Sequence, residues 1–269
     1  MNILQYEFVQ NALTAGILLS ITTGIIGSLV VMKRDTFLIG GIAHASFGGL
    51  GLFYFLGLDP ILGAFSVALA IGGFIGINNE KQLHTHNALI GVLWAFGMSI
   101  GIIFITITPG YAPNLLTYLF GDILTITRGD ILNIAIYNII LFIFLFLFYK
   151  PLIVYLFDKE FAALHGIKVK LYRLLFYIFI AIAVVLMIRS VGIILVLALL
   201  TIPPLIVLPL FKRLPMVILM SILVSLVIFI GGFFIAYYTN LPTGPIIIST
   251  GTVILLLVRL VCLLKKKNS

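Results

Sequence analysis

Charge is what this chain has least of: only 9% of its 269 residues are Asp, Glu, Lys or Arg, against about a quarter in a soluble domain. That shortage excludes a solvated globular fold of this length. A single cysteine, Cys262, excludes an intramolecular disulfide and, lying in the last apolar run, reads as a small packing residue. No G-x-x-x-x-G-K-[ST] loop and no H-E-x-x-H pair occur, so the chain is neither its own ATPase nor a zinc protease of that type. The acids complete the list of absences. Glu7, Asp35, Asp59, Glu80, Asp122, Asp130, Asp158 and Glu160 all fall at or beyond the ends of apolar runs, leaving mid-membrane without a carboxylate. Carriers driven by proton or sodium gradients keep such costly groups inside the bilayer for coupling. Energy is therefore expected from a partner.

What is present is apolar: 62% of the residues are hydrophobic. Runs of bilayer length, about 20 residues per crossing, fall at roughly 11–32, 37–58, 60–77, 87–107, 130–150, 171–188, 191–210, 215–238 and 244–263. The expectation is an all-α polytopic bundle forming one transmembrane domain, 1–269, with about nine helices and eight or ten as alternatives. The count turns on 108–130, where 111–127, with Tyr111, Pro113, Tyr118, Gly121 and Asp122, reads as an interfacial or re-entrant segment. The net charge of +8 lies in short clusters between runs, not in a patch for nucleic acid. Placing Lys33 and Arg34 in the cytoplasm puts most other basic residues there too and leaves only Arg128 and Arg189 outside. The N-terminus is then outside and the C-terminus cytoplasmic. The first run has no early basic residue and no evident cleavage site, so it reads as a retained helix.

One stretch, 40–51, holds the only histidine inside such a run. At helical spacing Gly40 and Gly48 stand one turn to either side of His44, which would leave room for a ligand beside the imidazole. Gly41, Ala45 and Gly49 form a second row that invites a neighbouring helix, as Gly72 and Gly76 do farther on. The paired glycines also suggest local unwinding. Asp59-Pro60 is a helix-start pair, an acid to cap and a proline at the first turn. In the longest cytoplasmic loop, 158–166 opens with Asp158 and Glu160, continues through Ala162 and ends at Gly166, the pattern of a short capped helix on the membrane face. It suits docking of a partner or, more plainly, a solvated surface helix. In the seventh run Pro203 and Pro204 withhold hydrogen bonds from the carbonyls of Leu199 and Leu200. A kink beside the Thr201 hydroxyl would either expose acceptors to a cation or be satisfied by neighbouring helices.

Six segments stand in order along the chain: Lys33-Arg34 with Gly40 to Gly49 around Ala43-His44-Ala45; Asn87-Ala88-Leu89-Ile90-Gly91; Leu119-Phe120-Gly121-Asp122-Ile123-Leu124; Glu160-Phe161-Ala162 through Gly166-Ile167; Val191-Gly192 through Pro203; and Leu241-Pro242-Thr243-Gly244-Pro245. Together they resemble the membrane permease subunits of bacterial ATP-binding-cassette importers for zinc, manganese and iron. The resemblance runs through nearly the whole chain. It implies a permease in the bacterial cytoplasmic membrane, a second permease copy sharing the pathway, two cytosolic ATPase subunits that bind ATP, and an extracytoplasmic metal-binding protein. It implies no permanently bound cofactor, only a transported divalent ion. Asp158, Glu160, Ala162 and Gly166 would couple to the ATPase, and Gly40, His44, Gly48, Gly192, Thr201, Pro203 and Pro204 would lie along the pathway. A permease for a metal chelate, such as an iron siderophore or cobalamin, would share the architecture with a wider path.

Three positions depart from the pattern. The family's acid four residues before the histidine is Gly40, its proline four residues after is Gly48, and an acid before Ala-x-Ile-Gly is Asn87. Loss of that acid removes a hard oxygen ligand. His44 as a neutral imidazole remains a ligand for zinc, manganese or iron(II), the plainer alternative being a core histidine bonded to a carbonyl. Trp94 and Met98, one turn apart, read as packing rather than ligands. His84 and His86, in a short loop beside Glu80, are weaker candidates as ligands at the cytoplasmic exit, against a plain polar loop near the ATPase. His165 reads as a surface contact. A membrane-embedded enzyme is disfavoured, because no nucleophile, acid and histidine converge.

Overall fold

A computed structural model describes residues 5–78, 86–109, 121 and 123–267, with the side chains of 86, 266 and 267 not described. Among these residues every regular element is helical. They are α1 (Glu7–Lys33), α2 (Thr36–Phe55), α3 (Pro60–Ile77), α4 (His86–Ile107), α5 (Arg128–Phe157), α6 (Lys159–Leu164), α7 (Val169–Val191), α8 (Ile193–Val207), α9 (Leu214–Thr239) and α10 (Thr243–Lys267). Eight of them are long and apolar enough to cross a membrane, all but α6 and α8. Lipid leaves a chain this apolar little choice, because a helix satisfies its own backbone where no water can. With 15 residues, α8 is only about 22 Å long at 1.5 Å per residue, so the expected crossing at 191–210 is shortened to a helix below full bilayer thickness. Of the stretch read as re-entrant, Tyr111, Pro113, Tyr118 and Asp122 lie outside the described residues, while Ile123–Thr125 form a 3₁₀ turn.

The chain divides into two compact units, one of Met1–Arg34, Leu116–Asn138 and Ser190–Ser269, the other of Asp35–Leu115 and Ile139–Arg189. In the first, α1 packs against α9, and α8, α9 and α10 pack on one another. α1 is not uniform: Thr23–Gly27 form a π-helical turn that sits against α8 and α9. Glycines allow that approach, since a side chain at Gly24 would strike the backbone of Ile222 and one at Gly27 the carbonyl of Leu200. Pro204 has no N–H to give that carbonyl, and the bare Cα of Gly27 takes the space beside it.

The helix runs unbroken through Pro203 and Pro204, and Thr201 Oγ1 donates to Leu197 O at 2.7 Å. The interruption expected at the prolines occurs instead at Gly192, whose φ of 80° is open to glycine and strained for other residues. Gly121, at φ 65°, lies so close to the Val191 carbonyl and the Gly192 amide that no Cβ fits between them. Across α1 and α5, Thr22 Oγ1 donates to Asn138 Oδ1 (2.7 Å) and Asn138 Nδ2 to Leu18 O (2.8 Å). Thr127 and Asp130 cap the start of α5, the hydroxyl donating to the carboxylate at 2.7 Å and accepting from the Asp130 amide at 3.2 Å.

In the second unit α2 lies between α3 and α4 and packs on both. It is helical from Thr36 to Phe55, so the glycine-rich stretch is not unwound. Its glycines are used for backbone approach: a Cβ at Gly49 would collide with Gly63 of α3, one at Gly51 with Gly101 of α4, and one at Gly48 would lie 2.9 Å from Gly97 O. Close contact of this kind replaces the stability that glycine withholds from an isolated helix. Gly72 and Gly76 do face a neighbour, meeting Tyr177 and Leu174 of α7. Asp59 Oδ1 accepts from the Ile61 amide at 2.9 Å, with Pro60 at the first turn. The run expected to end at 150 continues to Phe157. Phe148 leaves helical geometry (φ −114°, ψ 18°) just before Pro151, so the helix bends there and does not stop.

Candidate functional site

His44 lies mid-way along α2, half-buried, in the second unit. Its Nδ1 is 2.9 Å from Gly40 O, one turn back. A carbonyl oxygen only accepts, so Nδ1 carries the proton, and in the neutral ring Nε2 keeps its lone pair. The imidazole is stacked on the indole of Trp94 from α4, with centroids 4.0 Å apart and planes 21° from parallel. Phe37, one turn before Gly40, tilts against the same indole at 5.7 Å.

The room beside the histidine is therefore taken. A Cβ on Gly40 would fall on the six-membered ring of Trp94, and the space that glycine opens is filled by the indole. Trp94 packs as expected, yet on His44 itself rather than on an anonymous helix face. The signal was there to combine: a residue without a side chain one turn before a lone intramembrane histidine, and a single large aromatic ring in another apolar run.

Among the described residues no three His, Cys, Asp or Glu side chains gather to hold a metal. His84 lies outside those residues, and His86 opens α4 with its side chain not described. Gly48 is a packing contact on Gly97, and Gly192 and Thr201 belong to the first unit with Pro203 and Pro204.

The 158–166 element takes the form its residues dictate. Asp158 Oδ1 accepts from the Phe161 amide at 2.8 Å and caps α6. Ala162 is fully buried, and Gly166 ends the turn at φ 74°, with the Gly166 and Ile167 amides donating back to Ala163 O and Ala162 O. Phe161 and Leu164 remain exposed, and Phe161 stacks on His165 at 3.8 Å. Close behind, Arg173 of α7 is 3% exposed and donates to the last carbonyls of α3, Gly76 O at 2.7 Å and Ile77 O at 2.9 Å. On the same helix, Tyr177 Oη donates to Asp35 at 2.8 Å. In the sequence Arg173 is one of the basic residues that fall on the side of Lys33 and Arg34 and so bear on topology. Its role as the closing donor for a helix C-terminus depends on which helix lies beside it.

Comparison with known proteins places this geometry in context. Residues 5–262 match the ABC 3 transport family. A probable metal transport system membrane protein of Thermotoga maritima is 32% identical, over 92% of this chain and 87% of that protein. The manganese transport system membrane protein MntC of Listeria monocytogenes is 30% identical, over 94% and 90%. Among solved structures, PsaBC from Streptococcus pneumoniae in complex with Fab superposes with a TM-score of 0.83 at 26% identity, covering 95% of this chain and 92% of that one.

Proposed function

The chain belongs to the ABC 3 transport family, and on that premise we propose that it is the membrane component of an ATP-driven importer for a divalent metal ion, with manganese the first candidate. The observation that carries the reading is a family match over nearly the whole length, joined to a histidine, His44, midway along a span. Metal and manganese transport are the stated roles of the relatives from Thermotoga and Listeria, which supports the choice of cargo.

The complete machine pairs this multi-pass protein with a second permease copy, two cytosolic ATPases and an extracytoplasmic binding protein. It sits in the bacterial cytoplasmic membrane with the N-terminus outside and the C-terminus in the cytoplasm. The ATPases dock on 158–166, where Phe161 and Leu164 offer apolar contacts and Asp158 and Gly166 hold the helix in shape. Closure of the ATPases on nucleotide moves that element and switches the side to which the path opens. An ion released from the binding protein then passes Nε2 of His44. His84 and His86 are secondary candidates at the exit.

Whole-cell elemental content under metal-limited growth tests this, comparing wild type, a permease-deleted strain and His44→Ala at matched expression. Wild type should raise manganese, or zinc or iron, above the deletion, and His44→Ala should lose that gain. No gain from wild type would instead favour a chelate as cargo.

A further inference from the structure

We propose that Trp94 is the positioning residue of His44: its indole fills the groove left open by Gly40 and holds the imidazole so that Nε2 alone meets the passing divalent cation. This rests on the reading that His44 touches the cargo. A histidine on a helix flanked by glycines has no neighbour of its own to fix the ring, and a free ring can turn either nitrogen toward a cation. Here two contacts remove that freedom. Nδ1 is tied to Gly40 O at 2.9 Å, and one ring face is covered by the indole at 4.0 Å.

The fit is close. A Cβ built on Gly40 would lie 2.9 Å from Trp94 Cη2 and 3.3 Å from Cε3, so any larger residue at 40 competes with the indole for one space. Phe37 tilts against the same indole, and a Cβ built on Gly91, one turn before Trp94, would meet just the Phe37 ring, at 3.9 Å, among the described residues. Tying down the second nitrogen and the face of a ligating imidazole is how metal sites fix which nitrogen they present. In this chain the face is held by an aromatic ring from another helix.

Trp94 is the only tryptophan in the sequence, which makes the stack directly observable. The purified full chain in lipid nanodiscs is titrated with manganese chloride and, separately, zinc chloride while tryptophan emission is followed. A saturable change in emission with at least one metal is expected, and His44→Gln should abolish it while keeping the metal-free spectrum of a half-buried indole. In cells with the complete transporter, Trp94→Ala should raise the metal concentration for half-maximal uptake about tenfold and change the manganese-to-zinc uptake ratio. Trp94→Phe, which keeps an aromatic face, should restore both.

Emission indifferent to both metals, or a change that persists in His44→Gln, overturns the proposal. If uptake is lost in His44→Ala at the same time, the importer reading stands. If His44→Ala takes up metal like wild type, that reading of His44 falls first. Should Trp94→Ala fail to reach the membrane, the wild-type titration decides, since it needs no change at position 94.

Discussion

The two compact units bring helices together by different chemistry. Around α2 the contacts are made by what is missing: Gly49 against Gly63, Gly51 against Gly101 and Gly48 against Gly97 let backbones meet with no side chain between them. Around α1 they are made by polar side chains and a change of helix pitch. Thr22, Asn138 and Leu18 O form a buried hydrogen-bonded set, and the π turn Thr23–Gly27 presents glycines to Ile222 and to the Leu200 carbonyl. Lipid tails are as apolar as the side chains, so burying hydrophobic surface drives little association, and both units rely on shape or hydrogen bonds. The difference decides what each tolerates. A glycine seam fails when volume is added; a polar seam fails when a partner is removed.

The sharpest break in this contrast is Gly49→Leu, which drives a side chain into the Gly63 carbonyl. It should cost about 3 kcal/mol or abolish folded yield, read by thermal unfolding in detergent. Gly73→Ala is its control: among the described residues no neighbouring element comes within 4 Å of a Cβ there, and a gain of up to about 1 kcal/mol is expected from helix propensity. Next comes Arg173→Leu, which strips two charge-assisted bonds from the end of α3 and should lower stability by about 2–3 kcal/mol. In the other unit Asn138→Leu removes both the acceptor for Thr22 and the donor to Leu18 O. Bonds between membrane helices average less than in water, so about 1 kcal/mol is expected.

Smallest is Thr23→Val. The hydroxyls of Thr23, Ser28 and Ser221 are buried with no hydrogen-bond partner among the described residues, and an isosteric apolar group at Thr23 should change stability by less than about 0.5 kcal/mol, in the stabilising direction. A large loss there would show that the π turn uses that hydroxyl. For function, Glu160→Ala and Gly166→Val should reduce ATP-driven uptake while leaving the manganese-to-zinc ratio as in wild type. An altered ratio would count against the coupling role proposed for 158–166.

Much of the fold was legible because the bilayer allows few alternatives. The run read at 60–77 is α3 to the residue, and 87–107 lies within α4 with only His86 added. Asp59 and Asp158 cap the helices they precede, since capping depends on three or four adjacent residues. What was misread depended on distant ones. The proline pair leaves α8 unbroken while Gly192, held against Gly121, interrupts the chain. Pro151 bends α5 without ending it. The π turn of α1 had no sign in local composition, because its extra residue is accommodated against α8 and α9.

At the candidate site the division is the same. Sequence alone determined that a solitary histidine would lie within a membrane span, flanked by glycines one turn away on each side, because helix periodicity fixes those neighbours. It also determined a short capped helix within 158–166. Only the tertiary structure decided what fills the glycine groove. Gly40 and Trp94 stand 54 positions apart in the sequence, and helix-on-helix packing, which no local pattern encodes, laid the indole across the imidazole.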